Sequence, residues 1–241
     1  MRQSTIVPAA HLAFLLVSLA TPATAQDDFA AYFALHGTPV AALPPVAPAS
    51  GTSEGTGFSL RYGRLDFGDG PNAVHNLGLR VDRPSGRGRF GWTVGGQICA
   101  GCDGLVMAGL DLQHPLRAAA PPTAPRRIGL AVALAPSFGV ALPLSGGGVV
   151  ASAALAVPTG VDVPMGRRAR LVPFVAPGIG LGTVLAAGGG AFDVRPIVGG
   201  GVELRHRDAL GVIVGFQKVF VPGSDVQLGA GVAWRRAGAA R

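Results

Sequence analysis

The chain has 241 residues, 14% of them charged, with 38 glycines, 20 prolines and a formal net charge of +7. About 216 residues after cleavage of a leader are enough for one domain. The positive charge is carried by arginine, with Lys218 the single lysine; few aromatics and no recognisable motif accompany it, so no nucleic-acid partner is expected.

Met1–Ala25 reads as a cleaved secretory signal peptide. Arg2 supplies the basic start, Leu12–Ala20 the apolar core and Ala23-Thr24-Ala25 the small-residue cleavage site. The core is too short for a spanning helix, so export is expected, with a mature chain starting near Gln26. Residues 26–57 read as a flexible N-terminal arm. Asp27–His36 carries Phe29, Tyr32, Phe33 and Leu35 and suits one or two helical turns or a small plug. Thr38–Gly57 is rich in Pro, Ala, Ser, Gly and Thr, including Pro44, Pro45 and Pro48, and should be extended or disordered.

From Phe58 to Trp234 large apolar residues recur at every second position between turn-rich breaks, which is the period of a strand. Ten segments carry it: Phe58–Phe67, Ala73–Arg83, Arg89–Ile98, Leu105–Gln113, Arg127–Leu142, Val149–Val157, Leu171–Leu185, Phe192–Arg205, Leu210–Phe220 and Val226–Trp234. The sixth is weakly patterned. The alternation is fullest in Arg127–Leu142, where Ile128, Leu130, Val132, Leu134, Phe138, Val140 and Leu142 oppose glycine, alanine and serine, with Pro136 the one exception. A soluble strand would set polar groups opposite its large ones. Bulk backed by almost nothing suits lipid on one side and a crowded lumen on the other. Pro136, Pro143, Pro158 and the Gly146–Gly148 run argue against a spanning helix through this region.

Charges within the strands fall on the small-residue parity: Arg61, Arg80, Asp82, Asp111, Asp193, Arg195, Glu203 and Arg205, four of each sign. They are expected to line the lumen. Two roles are open to them: an internal ion-pair network plugging a narrow barrel, since unpaired buried charge is costly, or a polar path for water and small ions. In lipid every backbone group must be paired within the protein, so a spanning sheet must close on itself. The expected fold is therefore all-β, a closed antiparallel up-and-down transmembrane β-barrel. It would have about ten strands (eight to twelve are compatible) over residues 58–234, with a short tail at 235–241.

Pro173-Phe174-Val175-Ala176-Pro177-Gly178-Ile179-Gly180 and Ile197–Leu204, IVGGGVEL, join a signal peptide and a last strand ending in an aromatic. Together they resemble the small outer-membrane β-barrel superfamily of Gram-negative bacteria. The resemblance implies an outer-membrane location, with outer-membrane lipids and the barrel-assembly machinery as partners. It also implies that the last strand, through Val226, Leu228, Ala230, Val232 and Trp234, is the signal that machinery reads. Arg235–Arg241, following the aromatic, departs from the family pattern.

Cys99 and Cys102 form a C-x-x-C in a turn. With no second cysteine pair, and in an exported chain, they read as a loop disulfide ahead of a redox dithiol or half a metal site. His36, His75, His114 and His206 supply neither metal spacing nor a nucleophile–base–orienter set, so no catalytic residue, metal or cofactor is expected. The reading is an outer-membrane barrel with a structural or narrow passive-pore role. The alternatives are a barrel enzyme modifying envelope lipids and a soluble secreted β-barrel binding an apolar ligand. Oligomeric state is left open.

Overall fold

The alternation of large and small residues folds into strands throughout the computed structural model. It describes residues 32, 34–48, 55–66, 73–100, 102–117, 128–166, 169–186, 189–206, 210–221 and 224–235. The strands are β1 (Gly57–Asp66), β2 (Ala73–Ser85), β3 (Gly88–Cys99), β4 (Leu105–Arg117), β5 (Gly129–Pro143), β6 (Gly148–Ala156), β7 (Thr159–Met165), β8 (Ala169–Ala186), β9 (Gly189–His206), β10 (Leu210–Val219) and β11 (Gln227–Arg235). A short helix, α1 (Pro39–Ala42), precedes them, and residues 32 and 34–36 are helical as well. The signal peptide read at residues 1–25 and the tail at 236–241 lie outside the described residues.

Neighbouring strands pair antiparallel, and β1 closes onto β11 from Gly57↔Arg235 to Arg64↔Leu228. The sheet has no free edge there, and the molecule is a closed barrel. β6 and β7 hold one register against both flanking strands: Ala135 faces Ala156 and Val132 faces Thr159. They are two halves of one strand position, broken at Val157-Pro158, so the barrel has ten positions. Pro158 has no N–H to give. Its carbonyl still accepts from Ala133 N–H (3.0 Å), and Val157 N–H donates to Pro177 (2.8 Å). The β7 half was not among the ten expected segments, because Pro158 and Pro164 interrupt the apolar alternation that marks the others.

The register also gives the tilt. From His206 on β9 the cross-strand partners run Leu210, Trp234, Phe58, Val81, Trp92, Leu110, Phe138, Ala153, Leu181 and back to β9 at Val194. One circuit thus returns twelve residues along the same strand, from 206 to 194. With ~3.3 Å per residue and ~4.7 Å between strands, ten strands at that stagger tilt by roughly 40° around a backbone radius of about 10 Å.

Large residues point out of this wall on every side. Leu60, Leu77, Trp92, Leu110, Phe138, Leu155, Val175, Val202, Val214 and Leu228 are all exposed. In β5, Leu130, Phe138 and Leu142 face out while Ala131, Ala133, Gly139 and Ala141 are buried. The core lies inside the barrel, and much of it belongs to the segment expected to be a flexible arm. Residues 34–48 occupy the lumen: Ala34, Leu35, Ala41, Ala42, Leu43 and Ala47 are each at most 1% exposed. For these residues the flexible-arm expectation is corrected. Tyr32, Leu35 and Ala41 pack with Leu65, Val74, Ile197 and Val219 at one mouth. Leu43 packs with Leu105, Met107, Ala141 and Val150, and Ala47 with Val172, Phe174 and Ile213. The segment leaves at the other mouth, where Arg89 donates to the Gly55 carbonyl (3.0 Å), and turns into β1.

Candidate functional site

The candidate site is the lumen with its threaded segment. Beside the apolar residues already named, inward positions on the wall are small or polar, and the small ones make room for the segment. A Cβ on Gly139 would stand 2.9 Å from Thr38 Cβ and 3.1 Å from Pro39 Cδ, and one on Gly199 would stand 2.8 Å from Pro45 Cγ. Gly180 and Gly229 stand equally close to Leu35 and Pro44. Only glycine admits the segment at these approaches.

Six polar side chains at inward positions meet the segment's backbone, each as a donor. Gln97 Nε2 donates to the His36 carbonyl (3.2 Å), Gln217 Nε2 to Val40 (3.1 Å) and Gln227 Nε2 to Ala42. Arg61 Nη1 donates to Pro44 (3.0 Å), Gln113 Nε2 to Val46 (3.4 Å) and Arg205 Nη2 to Pro48 (3.3 Å). From Val40 to Pro48 every second carbonyl is held. The chemistry is matched, since Pro44, Pro45 and Pro48 carry no N–H and present only acceptors. Thr38 and Ser152 add a hydroxyl–hydroxyl bond.

Around this contact run the charges. Arg80 takes Asp111 with two prongs, Nε to Oδ2 (2.9 Å) and Nη2 to Oδ1 (2.6 Å), and Asp82 with Nη1 (2.7 Å). Arg89 adds a second cation to Asp82. On β9, Arg195 pairs with Asp193, and Arg205 with Glu203 (2.6 Å). Arg61 spends its guanidinium on Pro44 and on the Thr93 hydroxyl (3.2 Å). Arg80, Asp82 and Asp111 are thus brought together across β2 and β4, the β9 residues form two local pairs, and Arg61 faces the segment. Sequence reasoning missed Arg89, and Asp162 with its partner Arg170. Arg89 shares the inward parity of Thr93 and Gln97, which is the signal that could have found it. Asp162 was hidden with β7. A cavity of about 100 Å³, with room for several waters, remains beside the segment, lined among others by Arg61, Thr93, Asp111, Gln113, Ser137 and Gln217.

His36 is buried in this packing. Its Nδ1–H donates to Gln227 Oε1 (2.9 Å), the Tyr32 ring lies 4.6 Å from its own, and Nε2 has no partner. Burial pushes its pKa down to about 4. The docked segment therefore resists protonation that a free histidine accepts near 6.5. Docking is at full strength above that pH and weakens as pH falls toward 4, by about 3 kcal/mol over the interval. Limited proteolysis of the arm should accelerate across that window, and His36→Gln should flatten the dependence.

Of the remaining expected residues, Cys99 packs against the Tyr32 cluster at one mouth and those of the last strand face outward. Cys99 and Cys102 are disulfide-bonded across the β3–β4 turn. Val226, Leu228, Ala230, Val232 and Trp234 share the outward face at the closing seam, where Trp234 stacks on Phe58 at 5.8 Å.

No family model matches the chain, and no curated protein sequence matches it. Among solved structures it is similar to Ail, the attachment invasion locus protein of Yersinia pestis, at 11% identity and a TM-score of 0.32, covering 76% of this chain and 98% of that one. The β domain of the Bordetella autotransporter BrkA shows 13% identity, a TM-score of 0.34 and coverage of 77% and 99%. The KdgM porin, solved with oligogalacturonate, shows 9% identity, a TM-score of 0.29 and coverage of 73% and 98%.

Proposed function

We propose that the protein is an outer-membrane β-barrel of a Gram-negative envelope, exported on the Met1–Ala25 leader and held closed by its own N-terminal segment. Its role is structural and passive rather than catalytic, and small solutes pass only when the segment leaves the lumen. The observation that carries this reading is the outer face. Large apolar side chains stand exposed on every side of the barrel, while the outward charges of described strands, such as Arg64 and Asp66 on β1, Arg83 on β2 and Lys218 on β10, sit near strand ends. At a tilt of roughly 40°, ten residues of strand rise about 25 Å, the height of an outer-membrane apolar band. Such a belt exposed to water would be an aggregation liability. The histidines support the passive role: His75 Nδ1 lies 2.6 Å from the Tyr62 hydroxyl on the outer face, and His36 is committed to Gln227.

Envelope fractions run on gels with and without heating test the reading. A compact band in the outer-membrane fraction that shifts on heating is the expected result, together with electrical silence of the native protein in planar bilayers. A mature chain that stays soluble without detergent and shows no shift would overturn the membrane assignment and favour the soluble ligand-binding barrel.

A further inference from the structure

We propose that the lumen is a peptide-binding site for proline-rich segments, and that Thr38–Pro48, a helical turn at Pro39–Ala42 running on into Pro44–Pro48, is its resident and exchangeable ligand. This does not depend on where the barrel resides, because the argument concerns only the inner surface.

A covalently continuous core does not need a recognition pattern, yet this lumen has one. Donors from five different strands, Arg61 on β1, Gln113 on β4, Arg205 on β9, Gln217 on β10 and Gln227 on β11, reach the carbonyls of Pro44, Val46, Pro48, Val40 and Ala42. Alternate carbonyls are read by side chains, and prolines of the segment rest on wall glycines: Pro39 on Gly139, Pro44 on Gly229, Pro45 on Gly199 and Pro48 on Gly160. Hydrogen bonds to the segment's main chain supply affinity and shaped apolar sites supply selectivity. The binding groups act on backbone and proline rings, so a separate peptide of the same chemistry meets them equally. Occupied, the site satisfies the ligand's carbonyls. Empty, it leaves a polar lumen that water can fill, so exchange does not strand the wall donors in a dry interior. The cavity beside Arg61, Gln113 and Gln217 already holds space for that water.

The test uses the full chain with a specific protease site placed within residues 51–54, cut after folding so that the segment is held only by its contacts. Native mass spectrometry then follows the cut segment and an isotopically heavy synthetic peptide of residues 34–48 added in excess. The expected result is retention of one cut segment per barrel, followed by its replacement with one heavy peptide. A peptide with Pro44→Ala and Pro45→Ala should bind about tenfold more weakly or worse, since it gains N–H groups that the donor-lined wall does not accept and loses preorganisation. Arg61→Met with Gln113→Leu should speed release by at least about tenfold; Gln217→Leu alone is the fallback if that pair does not fold.

Loss of the cut segment from a barrel that still migrates as folded, with no uptake of the heavy peptide, would overturn the proposal. Retention without replacement would make the lumen a sealed core and overturn it equally, as would binding indifferent to the lumen variants. A barrel that proves soluble without detergent sinks the membrane reading and leaves this test readable in plain buffer.

Discussion

Gly139→Val together with Gly199→Val should convert an electrically silent barrel into one that shows discrete conductance steps. Both glycines face the lumen from strand interiors, and the added Cβ atoms would meet Thr38, Pro39 and Pro45 before almost any wall atom. Overpacking of this kind costs about 1–3 kcal/mol per site. The pair therefore lowers the docked-to-free ratio of the segment by roughly thirty- to twenty-thousand-fold. The wall itself should not suffer, because valine is a better strand former than glycine. The measurement joins planar-bilayer recordings to the heat-modifiable band on a gel. Conductance with an intact folded band is the expected outcome. An intact band with continued silence would mean that the threaded segment is not what closes the lumen.

Arg80→Met should be the most damaging single change in the wall, costing about 3–5 kcal/mol of folding stability. The guanidinium is buried, with a side-chain exposure of 4%, and ties Asp111 and Asp82 together. Its loss leaves Asp82 with Arg89 but strips Asp111 of the two-pronged contact. Methionine fills similar volume, so the effect is one of charge and not of a hole. Adding Asp111→Asn to Arg80→Met should restore part of the loss, a coupling that a pair of independent sites would not show. Urea titrations of the folded band, run for the four members of the cycle, measure it. Equal midpoints for Arg80→Met and the native chain would mean that the network contributes nothing to holding the barrel.

The barrel wall was legible because its chemistry is periodic. Leu60 and Tyr62 against Arg61 and Gly63, or Leu228 and Val232 against Gly229 and Gly231, state both the strand and the face that each residue takes. β7 was illegible for a local reason: a strand read by alternation disappears where Pro158 and Pro164 stand in place of the pattern. The lumen occupant escaped for a deeper one. Pro44, Pro45 and Pro48 are the composition of a tether, and nothing in a local window distinguishes a proline run in water from one in a channel lined by donors. The distinguishing information sits elsewhere in the chain. Gln97, Gln113, Gln217 and Gln227 all stand on inward positions, buried, and glutamines there ask for a carbonyl partner. Glycines such as Gly139, Gly180 and Gly199 on the same parity ask for something to approach them.

Tyr32 packs beside Leu65, Val74 and Val219, whereas Gly55 meets Arg89 at the opposite mouth, from which β1 and the closing end of β11 also start and finish. The protein is a bead strung on its own thread, and a bead can be made in only two ways. Either the seam between β1 and β11 zips shut around a chain already lying along the axis, or the chain is fed through a finished eye. That eye has a backbone diameter of about 20 Å before any side chain is counted. It passes an extended peptide and stops a folded domain. A compact reporter fused ahead of Tyr32 therefore separates the two routes: it stalls a chain that must be fed through and leaves a seam that zips around its thread free to close, while the same reporter after Arg235 obstructs neither.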